Sequence, residues 1–189
     1  MKNILLVSSN CKSKDTLLQL LETVTSSQIT IACNEEEARK RMAETEFDLI
    51  IINSPLEEKN GCDLAIYVAE NSTAGVLLAV QNKNANSASQ KVEPFGVLVL
   101  GKPIVKTFFN QTVKFAEVTR QRVLLLKKEN MSLHLKIEEM KLINRAKCVL
   151  IEYLSMSEIQ AHKYIEKQAM DLRISKYKVS KRILKAYEQ

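Results

Sequence analysis

Asp48-Leu49-Ile50-Ile51-Ile52-Asn53 is the stretch on which the fold turns. Four consecutive apolar residues without alternation mark a strand whose two faces are both covered, as in a parallel sheet with helices on either side. Working outward, Asn3–Val7, Ile29–Ala32, Gly75–Val80 and Gly96–Leu100 read as further short apolar strands. Helical patterns separate them. Asp15–Val24 carries a stripe of Leu17, Leu18, Leu20 and Leu21, Glu35–Ala43 is a charged helix opened by an Asn34 cap, and Cys62–Glu70 is a third helix. Lys83–Val92 is the least defined, because Asn82–Ser89 is polar and loop-like. Five βα units predict a doubly wound α/β domain of flavodoxin-like type over residues 1–112.

Charge separates the chain into two halves. Residues 1–112 hold 11 Lys and Arg against 13 Asp and Glu, whereas residues 113–189 hold 17 against 9. The overall +6 is therefore a basic C-terminal half beside a near-neutral N-terminal one, which suggests a polyanion-binding part and a separate sensing part. Only 4 glycines and 3 prolines favour helices over an all-β fold. Cys11, Cys33, Cys62 and Cys148 have no metal-ligand spacing, and neither His134 nor His162 sits near a pair of them. Reduced thiols in a cytoplasmic protein, with no metal and no cofactor, are expected. Ile4–Val7 is too short for a signal-peptide core, and no stretch approaches the roughly 20 apolar residues of a membrane span. There is no nucleophile–base pair and no glycine-rich phosphate loop, so an enzyme is not expected.

After Pro103 the pattern changes. From about Val105 to Tyr153 there is neither proline nor glycine, and the segment reads as one long helix. Ala116, Val123, Asn130, Ile137 and Asn144 fall at heptad position a, and Thr119, Leu126, Leu133 and Met140 at d. A coiled coil over residues 113–143 follows, with Asn130 at an a position setting register and favouring a parallel homodimer. A long helix folded back on the first domain is the alternative. The repeat fades at Lys147, a charged d residue.

Residues 144–189 read as a small three-helix bundle. Ser155-Met156-Ser157-Glu158 reads as a capping box opening its second helix, whose buried stripe would be Ala161, Ile165, Ala169 and Leu172. Lys163 and Lys167 lie one turn apart on the opposite face. Ser175 can cap a third helix with Val179, Ile183, Leu184 and Tyr187 on one face. Lys178, Lys181, Arg182 and Lys185 lie on the other, at i, i+3, i+4 and i+7. Arg173 and Lys176 extend this basic surface. Neutralising phosphates with such residues would release counterions and make affinity salt-dependent. Charge alone does not choose RNA over DNA or an acidic protein.

The motifs of this bundle resemble an ANTAR domain. Ala146 and Lys147, preceded by Arg145, match the family's alanine–lysine element, and Ala161, Ala169 and Met170 match its alanine…alanine–methionine element, over roughly residues 130–184. Cys148 stands where the family usually has glycine, and Glu166 where a basic residue is common. The resemblance implies binding to hairpins in leader RNA, which holds an antiterminator structure and prevents a terminator from forming. On this reading Arg145, Lys147, Lys163, Lys167, Arg173, Lys176, Lys178, Lys181, Arg182 and Lys185 are the candidate RNA contacts. RNA loops expose unpaired bases, unlike the deep groove of an A-form stem, and Tyr164 and Tyr177 are candidate stacking residues.

The first domain resembles a CheY-like response-regulator receiver stripped of its chemistry. In that family carboxylates follow the first strand and hold Mg²⁺, an aspartate ends the third strand, a hydroxyl residue follows the fourth and a lysine the fifth. Here those positions read Ser8-Ser9-Asn10, Asn53, Val80 and Lys102, the acceptor position being fixed by Gly61 eight residues on. Mg²⁺ demands hard, normally anionic oxygens, and an amide is a poor nucleophile, so no aspartyl phosphate forms at Asn53. The resemblance also implies that Lys102-Pro103 is a cis peptide. A pseudo-receiver would serve as a scaffold or dock a regulatory protein or small ligand at its strand ends, where Glu57-Glu58-Lys59 and Asn82–Ser89 lie. A DNA-binding response regulator and a protein-interaction adaptor are the competing readings. Against the former, the C-terminal helices lack the glycine-containing turn of a helix-turn-helix.

Overall fold

The computed structural model describes residues 3–23, 27–56 and 60–187, the side chains of residues 11 and 12 excepted. Val24 and Glu57–Lys59 therefore lie outside the described residues. The elements are β1 (Asn3–Ser8), α1 (Cys11–Glu22), β2 (Gln28–Ala32), α2 (Glu35–Glu44), β3 (Leu49–Asn53), α3 (Cys62–Asn71), β4 (Gly75–Gln81), α4 (Asn82–Val92), β5 (Leu98–Lys102), α5 (Lys106–Leu154), α6 (Glu158–Leu172) and α7 (Lys176–Tyr187). The strands form one parallel sheet in the order β2-β1-β3-β4-β5. The chain divides into two compact units, one ending at Leu125 and one beginning at Leu126.

Strand alternation explains why β3 is apolar throughout. Ile50 and Ile52 join Leu5, Val7, Leu78 and Val80 on one face, covered by Ala38 of α2, Leu64, Ala65 and Val68 of α3, and Ala88 and Val92 of α4. Leu49 and Ile51 join Ile4, Leu6, Leu77, Ala79 and Leu100 on the other, covered by Leu17 and Leu21 of α1 and by Phe109, Val113 and Ala116 of α5. Every residue of β3 is buried, so a polar substitution on either face would be left without water. The flavodoxin-like α/β architecture thus follows from five apolar strands with two apolar faces each.

Local chemistry sets the element ends. Asn34 Oδ1 accepts from Glu37 N at 2.8 Å and starts α2. Gly61 adopts φ +72° ahead of α3, and a Cβ there would lie 3.0 Å from Ile52 Cγ2. The polar α4 forms because Ala88 and Val92 are buried one turn apart while its remaining side chains stay mostly in solvent. β5 begins at Leu98 rather than Gly96, because Gly96, at φ +78°, closes a 3-10 turn over Glu93–Phe95.

The long helix starts within a residue of the expected position, and its first turns pack on the sheet. Val113 and Ala116 are buried on the sheet, and Arg120 Nη2 pairs with Asp48 Oδ1 at 2.7 Å. Val113 and Ala116 thus belong to the first unit's core. Beyond them Val123, Leu126, Asn130, Leu133, Ile137 and Met140 are all exposed. No helix among the described residues is long and apolar enough to cross a membrane.

Candidate nucleic-acid interface and receiver cleft

The sheet register brings the receiver-site residues together. Ser8 of β1 pairs with Asn53 of β3, and Gln81 of β4 with Lys102 of β5, so both pairs sit at the C-terminal edge. Asn53 Nδ2 donates to Ser8 Oγ and to Ser13 Oγ, each at 2.8 Å. Both hydroxyls donate in turn to the Asn10 carbonyl, at 3.2 and 3.3 Å. Asn10 also caps α1, its Oδ1 accepting from Ser13 N at 3.3 Å. The amide orientation is thereby fixed: both N–H groups of Asn53 are used as donors, and its Oδ1 is buried with no partner among the described residues. An aspartate would bring no N–H to this network. The residue at the acceptor position is therefore a buried tie between β1, β3 and α1.

Lys102 Nζ donates to the Ser54 carbonyl, and burial lowers its ammonium pKa below the ordinary lysine value. Ser9 Oγ donates to the Pro55 carbonyl at 3.1 Å. Ser54-Pro55 and Lys102-Pro103 are both cis. Val80 is buried in the core beside Ile52 and Leu78. Ser9, Asn10, Ser13, Asn53, Gln81 and Lys102 border a cleft of about 440 Å³ in which no described lining residue is acidic. Among the described residues no group of three His, Cys, Asp or Glu side chains is placed to hold a metal. Of the five expected residues, Ser9, Asn53 and Lys102 border this cleft and Ser8 bonds Asn53 beside it, while the fourth strand contributes Gln81 rather than Val80. Ser13 and Gln81 were missed by sequence reasoning; for Ser13 the Asn-x-x-Ser cap spacing just after a strand was the available signal.

The C-terminal bundle is built on a small apolar core of Ala146, Val149, Leu150, Ala161, Ile165, Val179, Ile183 and Leu184. Tyr153 and Tyr187 pack beside it, ring centroids 5.4 Å apart and ring planes tilted by 43°. The cap of α6 is displaced from the expected one. Ser157 Oγ accepts from Gln160 N at 3.3 Å and Gln160 Oε1 from Ser157 N at 2.8 Å, so the box is Ser157/Gln160 rather than Ser155/Glu158. Ser155 instead takes φ 52° just past the end of α5. Leu172 is 48% exposed and does not complete the buried stripe, because α6 ends at Arg173 in a left-handed conformation. Ser175 Oγ accepts from Lys178 N at 3.3 Å and opens α7 as expected.

The bundle presents most of the expected cations outward. Lys178, Lys181, Arg182 and Lys185 are all exposed on the face of α7 opposite buried Val179 and Ile183. Lys163 and Lys167 are exposed on α6 opposite Ala161 and Ile165, and Arg145 and Arg173 are exposed as well. Two of the cations lie in ion pairs. Lys147 is only 16% exposed and its Nζ lies 3.3 Å from Glu158 Oε1. Lys176 Nζ binds Glu166 Oε1, which His162 Nε2 also approaches at 3.2 Å. Lys176, through its hydrogen bond and charge, holds the Glu166 carboxyl below its ordinary pKa. Lys147 and Lys176 are therefore already paired within the bundle. Ile159 and Met170, 70% and 78% exposed, flank Lys163 and Lys167 on the outward face of α6, which charge-based reading had not singled out. Tyr164 is exposed and Tyr177 half-buried.

Comparison with known proteins follows the same division. The model of the ANTAR domain matches residues 132–184. The transcriptional regulatory protein PdtaR of Mycobacterium tuberculosis H37Rv is 24% identical over 137 residues, covering 72% of this chain and 67% of that protein. The first unit is similar to the signal receiver domain of an HD domain-containing protein from Pseudomonas fluorescens Pf-5, with TM-score 0.57 and 21% identity over 64% of this chain and 90% of that one. A response regulator receiver domain protein from Clostridium thermocellum gives TM-score 0.57 at 16% identity, over 66% and 99%. At these identities the structural likeness establishes the receiver fold.

Proposed function

We propose that this chain, whose residues 132–184 match the ANTAR domain and whose first unit has a receiver fold, binds hairpins in leader RNA and prevents terminator formation. The observation that carries the reading is the outward face of α7. Lys178, Lys181, Arg182 and Lys185 are exposed together on a helix whose other face is locked into the bundle core. Such a face engages phosphates without rearranging the fold. Lys163 and Lys167 extend the surface onto α6, and exposed Tyr164 offers a ring to an unpaired base. Lys147 and Lys176 act within the domain through Glu158 and Glu166.

The input operates without aspartyl phosphate. Asn53 is held by Ser8 and Ser13, and an amide does not attack phosphorus to form the acyl phosphate. Ser8 and Ser9 bring no anionic oxygen to Mg²⁺. The active species is a homodimer, because Val123, Leu126, Leu133, Ile137 and Met140 leave an apolar stripe exposed on a single chain and a second copy covers it with Asn130 in register. A regulatory protein or ligand at the receiver then takes the place of a kinase.

Titration of the full chain against leader-type RNA hairpins and against matched duplex DNA, at two salt concentrations, tests the reading. Preferential binding of the hairpins is expected. Equal affinity for both nucleic acids would leave a generic polyanion binder and remove the antiterminator.

A further inference from the structure

At the opposite edge of the sheet from the Asn53 cleft, the first unit holds a second, mostly apolar cavity of about 140 Å³. Phe95, Leu98, Phe115, Ala116 and Val123 form its apolar walls and Arg120 its polar one. A cavity of this volume takes one six-membered ring. Its floor is tight, since a Cβ on Gly75 would lie 3.1 Å from Ala116 Cβ.

The polar wall is fixed. Arg120 Nη2 pairs with Asp48 Oδ1 at 2.7 Å, and Asp48 Oδ2 accepts from Asn3 N at 2.8 Å, so the carboxylate is held from both sides. Arg120 Nε–H, by contrast, is buried with no acceptor among the described residues. The neighbouring Ser72 hydroxyl donates to Val68 O at 2.8 Å and accepts from Ala74 N at 3.3 Å, and no bond joins it to Arg120 Nε. A buried donor without an acceptor carries an uncompensated desolvation penalty, which a ligand acceptor removes. Because Asp48 already balances the guanidinium charge, a second anion would leave the cavity with net negative charge; a neutral acceptor would not.

The geometry points to a ligand site in this cavity for a small uncharged molecule with a ring-sized apolar body and one hydrogen-bond acceptor, such as an aryl ketone. The body packs between Phe95, Leu98, Phe115 and Val123, and the acceptor meets Arg120 Nε–H. Thr119 of α5 also borders the cavity, and Val123 on its wall is the first residue of the exposed apolar stripe, so occupancy would fix the helix where it leaves the receiver core. The binding claim stands apart from RNA recognition, and only its consequence for output rests on the RNA reading.

Calorimetric titration of the full-length protein, without RNA, with three near-isosteric probes tests the site. Acetophenone carries the acceptor, α-methylstyrene replaces it with a methylene, and benzoate adds charge. Acetophenone is expected to bind at least about fivefold more tightly than α-methylstyrene, the worth of one hydrogen bond, and more tightly than benzoate. Arg120→Lys, which keeps the charge beside Asp48 but lacks Nε–H, should abolish the preference over α-methylstyrene. Phe115→Ala alters a ring that is 60% exposed, so the fold is retained, and it should weaken all three probes. Equal affinity for acetophenone and α-methylstyrene, strongest binding of benzoate, no saturable binding, or indifference to Phe115→Ala would each overturn the assignment. Failure of the hairpin titration would leave these binding results standing, so the two readings fail separately.

Discussion

The receiver cleft and the outer face of α7 are both polar surfaces borne on apolar cores, yet they differ in what their side chains are free to do. In the cleft, Asn53 gives both N–H groups to Ser8 and Ser13, and Lys102 binds the Ser54 carbonyl. On α7, Lys178, Lys181, Arg182 and Lys185 stand in solvent. The first surface has kept a receiver's geometry while its polar groups became structural. The second keeps its cations available for a partner. Ion pairing draws the same distinction within the bundle, where Glu158 and Glu166 occupy Lys147 and Lys176.

The largest effect is expected from breaking the support of the basic face. Ile165, 1% exposed at the centre of the bundle, should cost about 2–5 kcal/mol when replaced by alanine. Denaturant unfolding followed by circular dichroism would show the loss, and a change under about 0.5 kcal/mol would mean that the bundle core does not hold the face in place. The cleft is tested next by acetyl phosphate with Mg²⁺. The intact mass should not change for the native chain, nor for Asn53→Asp, since Ser8 and Ser9 still supply no anionic metal ligand. A phosphoryl adduct on the native chain would contradict the structural role of Asn53. Replacing Asn130 with isoleucine should strengthen self-association or change its stoichiometry in sedimentation, because an a-position asparagine sets register at a cost in stability. No change would place Asn130 outside an interface.

The smallest effect concerns Glu166. Its folded pKa is depressed by Lys176, so the pair's contribution is present above the unfolded carboxyl pKa and is lost as pH falls through the folded one. Glu166→Gln should therefore flatten the acid limb of the stability profile and, by freeing Lys176, slightly raise hairpin affinity. An unchanged acid limb would show that the ion pair does not persist in solution.

Much of this was legible in the sequence, for physical reasons. β3 had to be buried on both faces because its residues are apolar at both parities, and that implied helices above and below the sheet. The amide at position 53 and the outward lysines of α7 were readable because each depends on one residue type at one spacing. Tertiary geometry hid the remainder. Lys147 meets Glu158 and Lys176 meets Glu166 across helix turns, at separations of 11 and 10 residues, beyond the reach of i, i+4 patterns. The capping box moved to Ser157 and Gln160 because the chain reverses at Ser155 with positive φ, which local motif matching does not register. Ala116 fits a heptad a position and the core of the first unit equally well by spacing, and only the packing against the sheet decides between them.

Hairpin binding through the exposed cations of α7 is measured most directly by its salt dependence. With Lys178, Lys181, Arg182 and Lys185 all changed to alanine, the slope of log affinity against log salt concentration should become shallower by about 3 for four lost phosphate contacts, with the fold intact by circular dichroism. An unchanged slope, with affinity retained, would place the RNA elsewhere on the molecule and contradict the account.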